Sequence, residues 1–219
     1  EVEIRRLDVG FKINDLKACD LLFMGGAQDR QQKIVAEDLM KKREELKKII
    51  EDRVPGLYIC GAYQFLGKYY KEADGTIIKG LNILDLYTEN PGENHPRLIG
   101  NVVIEILNTK YFIHNTKVVG FENHGGRTYL GKSVKPLGKV IKGFGNNGED
   151  STEGAIYKNS FGTYLHGPIL PKNPEFADLL IKLALEKKYG SPIINLSPLD
   201  DSIENQARKT IANKLGVEL

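Results

Sequence analysis

The chain has 219 residues, 41% of them hydrophobic and 27% charged, with 31 Lys and Arg against 29 Asp and Glu for a formal net charge of +2. This composition argues against disorder, and the charge balance argues against a dedicated nucleic-acid or anionic-membrane binder. No apolar run approaches the roughly 18 residues of a membrane span, and two cysteines make no disulfide framework, so a single cytoplasmic domain over residues 1–219 is expected.

Val2 to Val9, rich in β-branched and aliphatic residues, reads as a strand, followed by a short polar stretch from Ile13 to Ala18. Asp20 to Met24 is a nearly continuous apolar run closed by Gly25-Gly26, the pattern of a strand buried on both faces of a parallel sheet. Ile34, Val35, Leu39, Leu46, Ile49 and Ile50 then recur at helical spacing, predicting a helix over Asp29 to Arg53, stopped by Pro55-Gly56. Its Lys and Glu blocks read as a solvated face. Leu57 to Cys60 is a further short strand, and Ala62 to Tyr70 can form a helix. Strand, helix, strand, turn, helix is the order of a layered α/β structure. Further on, Leu81–Thr88, Leu98–Leu107, Tyr111–Ile113, Val118–Glu122 and Ala155–Leu165 read as strands. Helices over about Pro174–Tyr189 and Ser202–Leu215 close the chain.

Two nucleotide-binding patterns occur and are rejected. Gly126 to Ser133 spells G-x-x-x-x-G-K-S, but Pro136 and Gly138 follow at once where a phosphate loop needs a helix. Gly143, Gly145 and Gly148 spell G-x-G-x-x-G after a strand-like Lys139–Lys142, yet a polar loop follows, not the helix that dinucleotide binding requires.

Cys60 stands where a buried strand turns into a helix, in Gly56-Leu57-Tyr58-Ile59-Cys60-Gly61-Ala62. This is the setting of a nucleophile elbow: the side chain is exposed at the turn, and the following N–H groups favour a thiolate. Cys19 precedes a strand with no such turn and reads as structural. A cysteine nucleophile needs a base, usually histidine. His95 lies in a Pro/Gly/Asn loop and His114 between short strands. His166 ends an apolar strand stopped by Gly167-Pro168, at the expected edge of a crevice, and is favoured. His124 comes second.

Met24-Gly25-Gly26-Ala27-Gln28-Asp29, the Cys60 elbow, the run Gly120 to Thr128, and Gly162-Thr163-Tyr164-Leu165-His166-Gly167-Pro168 occur in this order. Together they resemble the class I glutamine amidotransferases of the cobyric-acid-synthase type. Within that family they are most similar to the glutaminase subunits of lipid II isoglutaminyl synthases. The resemblance implies a flavodoxin-like three-layer α/β fold and hydrolysis of L-glutamine to glutamate and ammonia. Cys60 would attack the side-chain amide to form a thioester, and His166 would move the protons. Gly26 and Gly61 would supply oxyanion-hole N–H groups, and Arg97 and Gln64 would hold the substrate. The ammonia would pass to a MurT-like Mur-ligase partner that amidates the D-glutamate α-carboxyl of lipid II. The resemblance implies no cofactor or metal in this chain, ATP and Mg being bound by the partner.

Two departures stand out. Many class I members carry a glutamate two residues after the histidine to orient it, and here that position is Pro168, so the partner is expected to supply the acid. The family also has a strand and helix before the position of Glu1, so the chain is expected to lack its first strand–helix unit. The competing expectations are an amidotransferase module for cobyric acid or another carboxylate, a scaffold subunit, and a nucleotide-binding protein using Gly126–Ser133.

Overall fold

The structure is a computed structural model that describes residues 2–26, 29–107, 111–112, 115–190 and 195–219, with 29–33 described through the backbone only. Its first half runs α1 (Ile13–Lys17), β1 (Leu22–Met24), α2 (Asp29–Lys41), α3 (Arg43–Glu51), β2 (Gly56–Ile59), α4 (Gly61–Phe65), β3 (Tyr69–Lys71), β4 (Ile77–Lys79) and β5 (Leu86–Glu89). Then follow β6 (Leu98–Ile106), β7 (Lys117–His124), β8 (Arg127–Leu130), β9 (Gly138–Lys142), β10 (Thr152–Glu153), β11 (Ala155–Tyr157) and β12 (Ser160–Thr163). Three helices, α5 (Ile169–Lys172), α6 (Pro174–Tyr189) and α7 (Ser202–Lys214), end the chain.

The central sheet has the order β1-β2-β12-β11, with β1, β2 and β12 parallel and β11 antiparallel. Every residue of β2 and β12 is buried, because both faces are covered. Successive strand residues point to opposite faces. Tyr58 therefore joins Leu16, Leu39, Leu46, Ile49 and Ile50 from α1–α3, while Leu57 and Ile59 join Val102, Ile104, Phe161, Phe176 and Leu180 on the other side. Two further sheets, β10-β9-β6-β7 and β4-β3-β5-β8, flank this core. The central sheet is thus covered by α1–α3 on one face and by β6 and α6 on the other.

Several elements differ from the reading of the sequence. Val2–Val9 is not a strand among the described residues. Its β-forming side chains meet no partner, Val2, Ile4 and Val9 being 63%, 90% and 55% exposed. The stretch after it forms α1 instead of a polar connection. β1 lies at the sheet edge, with Phe23 62% exposed, so it is covered on one face only. The helix expected over Asp29–Arg53 is two helices, since Lys42 (φ −107°, ψ 5°) leaves the α-helical path. The helix expected over Ala62–Tyr70 stops after Phe65, and Tyr69–Lys71 pairs with β4 and β5 as a strand. The strand near Leu81–Thr88 is confined to Leu86–Glu89. Tyr111 and Phe112 lie in a turn, and the remainder of that predicted strand, together with His114, falls outside the described residues.

Candidate active site

Cys60 follows β2 directly and is the cap residue of α4, with φ 53° and ψ −110°. A non-glycine residue at this backbone conformation costs on the order of 1–3 kcal/mol, strain that surrounding structure must hold in place. That hold is visible. The Cys60 N–H donates to the Thr163 carbonyl at 2.9 Å, and the Cys60 carbonyl accepts from the Gln64 N–H at 3.0 Å. The thiol is half-buried. α4 is only five residues long, so favourable charge at Cys60 comes from the N–H groups of its first turn, not from a long helix dipole.

Gly26, two residues beyond β1, approaches the same point. A Cβ built on Gly26 would lie 3.2 Å from Cys60 Cβ, 3.7 Å from Cys60 Sγ and 3.8 Å from the Gly61 nitrogen. The backbones of Gly26 and Gly61 thus converge beside the sulfur. The neighbouring Ala27 and Gln28 of the same motif lie outside the described residues.

The parallel register brings His166 to the same end of the sheet. Thr163 pairs with Ile59, so the chain emerges from β12 beside the chain entering Cys60. His166 then forms an antiparallel bridge with Phe121 of β7: its N–H donates to the Phe121 carbonyl at 2.8 Å, and its carbonyl accepts from the Phe121 N–H at 3.1 Å. Its ring Nδ1 lies 3.1 Å from that same Phe121 carbonyl. A carbonyl can only accept, so Nδ1 carries the proton and Nε2 of the neutral ring is left as the basic nitrogen. Burial holds the His166 pKa below the ordinary histidine value. The Phe121 bond opposes this shift, the charges of His124 and Arg97 add to it, and Glu122 opposes it. With Pro168 where many class I members carry an acid, the ring is oriented here by a main-chain oxygen.

His124, the second histidine considered, is 2% exposed. Its Nδ1 lies 2.7 Å from the Gly126 carbonyl, its ring stacks on Tyr164 at 3.6 Å between centroids, and its Nε2 is 3.9 Å from Glu122. It is therefore part of the floor beneath the site. His95 lies exposed in its loop. Arg97 is exposed just before β6 and is held by Asn123, Nε donating to Oδ1 at 2.9 Å and a terminal nitrogen to the carbonyl at 3.1 Å. Gln64 is only 4% exposed, and its amide donates to the Tyr164 hydroxyl at 3.0 Å. Cys19 lies away from this cluster, its Sγ 3.3 Å from the Asp15 carbonyl and its pKa pushed up by burial.

The two rejected phosphate patterns have other uses. Gly126–Ser133 contains strand β8, and the turn after it is fastened to Asp85, which takes the Ser133 N–H and hydroxyl at 3.2 and 3.3 Å. The glycine-rich loop from Gly143 does cradle an anion through its N–H groups, but the anion is internal: Glu122 accepts from Phe144 and Gly145 at 2.7 and 2.8 Å.

Reading residue types missed the Phe121 carbonyl, Tyr164, Glu122 and Glu153. Tyr164 is fully buried, and its hydroxyl meets Gln64 and, at 2.6 Å, Thr128. Two of the sequence motifs, Gly120–Thr128 and Gly162–Pro168, nonetheless contain three of these four. A glutamine-hydrolysing site needs a thiol, a base and N–H donors for a tetrahedral oxyanion, and these are the groups assembled here.

Residues 1–174 match the CobB/CobQ-like glutamine amidotransferase domain. The chain belongs to that family. It is 48% identical to the GatD subunit of the glutamine-hydrolysing lipid II isoglutaminyl synthase of Staphylococcus aureus over 196 residues, covering 90% of this chain and 75% of that protein. To the corresponding GatD subunit of Streptococcus pneumoniae it is 46% identical over 176 residues, covering 80% of this chain and 64% of that protein. A solved glutamine amidotransferase structure superposes with a TM-score of 0.58 at 15% identity, covering 79% of this chain and 83% of that one, a likeness of fold alone. An amidotransferase of this family hydrolyses glutamine to deliver ammonia. No helix among the described residues is long and apolar enough to cross a membrane.

Proposed function

We propose that this chain is the glutaminase subunit of a two-subunit lipid II isoglutaminyl synthase acting in peptidoglycan synthesis in the cytoplasm. The observation that carries the reading is the placement of a strained Cys60 elbow and of His166 beyond the same ends of two adjacent parallel strands, β2 and β12. The 48% identity to a GatD subunit supports the choice of acceptor system.

In this mechanism Cys60 Sγ passes its proton to His166 Nε2 and attacks the glutamine side-chain amide carbon. The oxyanion is held by the N–H groups of Gly26 and Gly61. As the tetrahedral intermediate collapses, imidazolium gives the proton to the leaving nitrogen, ammonia departs and a γ-glutamyl thioester remains. Water, deprotonated by His166, then attacks the thioester, and its collapse returns glutamate and the thiol. Arg97 pairs with the substrate α-carboxylate, as a guanidinium suits. Gln64, buried and bonded to the Tyr164 hydroxyl, would act on the substrate side chain only at short range. The ammonia passes to a MurT-like ligase, which binds ATP and Mg and amidates the D-glutamate α-carboxyl. This chain needs no cofactor of its own.

A glutamine-analogue electrophile tests the assignment. One covalent adduct mapped to Cys60, with glutamate release enhanced by a co-purifying Mur-ligase-like subunit, is expected. Labelling at Cys19 alone, or a co-purifying dethiobiotin-synthetase-like partner, refutes it.

A further inference from the structure

Glu153 of β10 is 1% exposed and sits directly behind the turn that leads from β12 to His166. One of its oxygens, Oε1, accepts from the Thr163 hydroxyl at 2.6 Å and from the Tyr164 N–H at 2.7 Å. The Thr163 hydroxyl in turn accepts from the Leu165 N–H at 3.0 Å, and the Thr163 carbonyl receives the Cys60 N–H at 2.9 Å. A single carboxylate oxygen therefore fixes three successive residues, one of which grips Cys60 and the last of which precedes His166. The other oxygen, Oε2, is buried and makes no well-formed hydrogen bond, the neighbouring Gly154 N–H being directed mainly to Asn146 Oδ1 at 3.0 Å. Leaving a buried carboxylate oxygen so poorly paired costs free energy and serves no packing purpose that an amide or an apolar side chain could not serve better.

We propose that Glu153 is a positioning residue for glutamine hydrolysis: its ionised carboxylate sets the spacing of Cys60 and His166 through Thr163 and Tyr164, and its protonation slackens that frame. The inference rests on the proposed Cys60–His166 chemistry. A charge-assisted hydrogen bond is roughly twice as strong as a neutral one, so a proton on Glu153 weakens both bonds to the turn at once. Burial pushes the Glu153 pKa up to about 7, opposed by the Thr163 and Tyr164 donors, increased by the nearby charge of Glu122 and opposed again by the Gly154 N–H. The titratable groups around it are Glu122 from β7, Tyr63 from α4 and Tyr164 at the end of β12, with the His124 ring stacked behind Tyr164. The carboxyl thus titrates near neutrality, and the frame tightens as pH rises through it.

The test measures kcat and KM for glutamine from pH 5.5 to 9 on the chain co-purified with its ligase subunit, for wild type, Glu153→Gln and Thr163→Val. Glutamine keeps the acceptor oxygen and the shape but cannot ionise. The wild-type kcat is expected to fall below about pH 7, a limb assigned to Glu153. In Glu153→Gln, kcat at pH 8 drops at least about fivefold with KM changed less than about twofold, and that limb disappears. Thr163→Val removes one donor that stabilises the charge, so its limb moves upward, the opposite direction. This variant keeps the inference testable if Glu153→Gln does not fold. A Glu153→Gln profile that superposes on wild type, or a uniform loss with the limb unmoved, overturns the inference; so does an unmoved limb in Thr163→Val. A wild-type complex that hydrolyses no glutamine at any pH overturns the proposed function instead, so the two failures are told apart.

Discussion

Gly26→Ala separates the chemistry of the site from its folding. The added methyl would sit 3.2 Å from Cys60 Cβ, 3.7 Å from Cys60 Sγ and 3.8 Å from the Gly61 nitrogen. Only the first contact is tighter than ordinary, by a few tenths of an ångström, and the Gly26 φ lies outside the left-handed region that excludes alanine. The folded state therefore loses no more than about 1 kcal/mol, partly offset by the lower chain entropy of unfolded alanine, about 0.4–1 kcal/mol. A change of that size moves Tm by about 2–4 °C in a chain of this length. Catalysis loses far more, because the methyl occupies the space between Sγ and the Gly61 N–H where the oxyanion would form. One oxyanion donor is worth about 3 kcal/mol, or roughly 10²–10³ in kcat. Glutamate release at saturating glutamine, measured beside a thermal melt, should show kcat at least about 100-fold down with Tm within about 4 °C. A kcat within about threefold of wild type would show that the methyl has room and that this backbone is not the hole.

The remaining predictions concern strain, charge and substrate. Cys60→Gly relieves a backbone strain of about 1–3 kcal/mol at the cost of some unfolded-state entropy; the protein should melt higher, by the equivalent of about 1 kcal/mol, while hydrolysing no glutamine, and a lower Tm would contradict the strain. Arg97→Ala should raise KM for glutamine at least about tenfold with little change in kcat. Because the Arg97 charge helps hold the His166 pKa down, the same variant should move the histidine limb of the rate profile upward, and kinetics below pH 6.5 in an E153Q background would detect it. Glu153 has a folded pKa of about 7 against an ordinary 4.5, so the fold binds its proton more tightly than the unfolded chain does. The stability it contributes is complete below pH 4.5 and is lost as pH rises through 7. Between pH 5 and pH 8 Glu153→Gln should therefore gain about 2–3 kcal/mol relative to wild type in denaturant melts, and parallel pH profiles would exclude a buried titrating carboxyl.

The Cys60 elbow was legible because its signal is local. An all-apolar Leu57-Tyr58-Ile59 followed by Cys60 and Gly61 can hardly be anything but a buried strand ending in a tight turn, and β2 and α4 are where that pattern places them. Partnership was not local. A place at a strand end favours His166 over His124, but only the Thr163–Ile59 register brings it to the same end of the sheet as Cys60. Val2–Val9 illustrates the reverse error: residue types that suit a strand form none without a neighbouring strand to pair with. The break at Lys42 was invisible because the apolar spacing of Leu39, Leu46 and Ile50 continues across it, both helices burying the same side. The orienting group of His166 had no letter at all, since a main-chain carbonyl belongs equally to every residue.

That carbonyl belongs to the first of four consecutive β7 residues that surround the candidate site. Phe121 holds His166 along the strand edge through its backbone, and the Asn123 side chain holds Arg97. Glu122 and His124 point into the buried layer, where Glu122 takes the N–H groups of the 143–148 loop and His124 supports the Tyr164 ring. Proposed base and proposed substrate anchor thus attach to neighbouring residues of β7, one through the backbone edge and one through a side chain, with Glu122 and His124 buried behind them. Gly120, the residue before them, lets β7 come this close: a Cβ there would lie 2.5 Å from Leu165 Cδ2 and 2.9 Å from Leu165 Cβ. An alanine at 120 would push β7 from the chain that carries His166, and because Phe121 orients the ring through its own backbone, no side-chain adjustment could restore the 3.1 Å contact. A substitution buried beneath the cleft should therefore cost kcat beyond what its loss of stability explains, since the damaged part is the distance between two main chains.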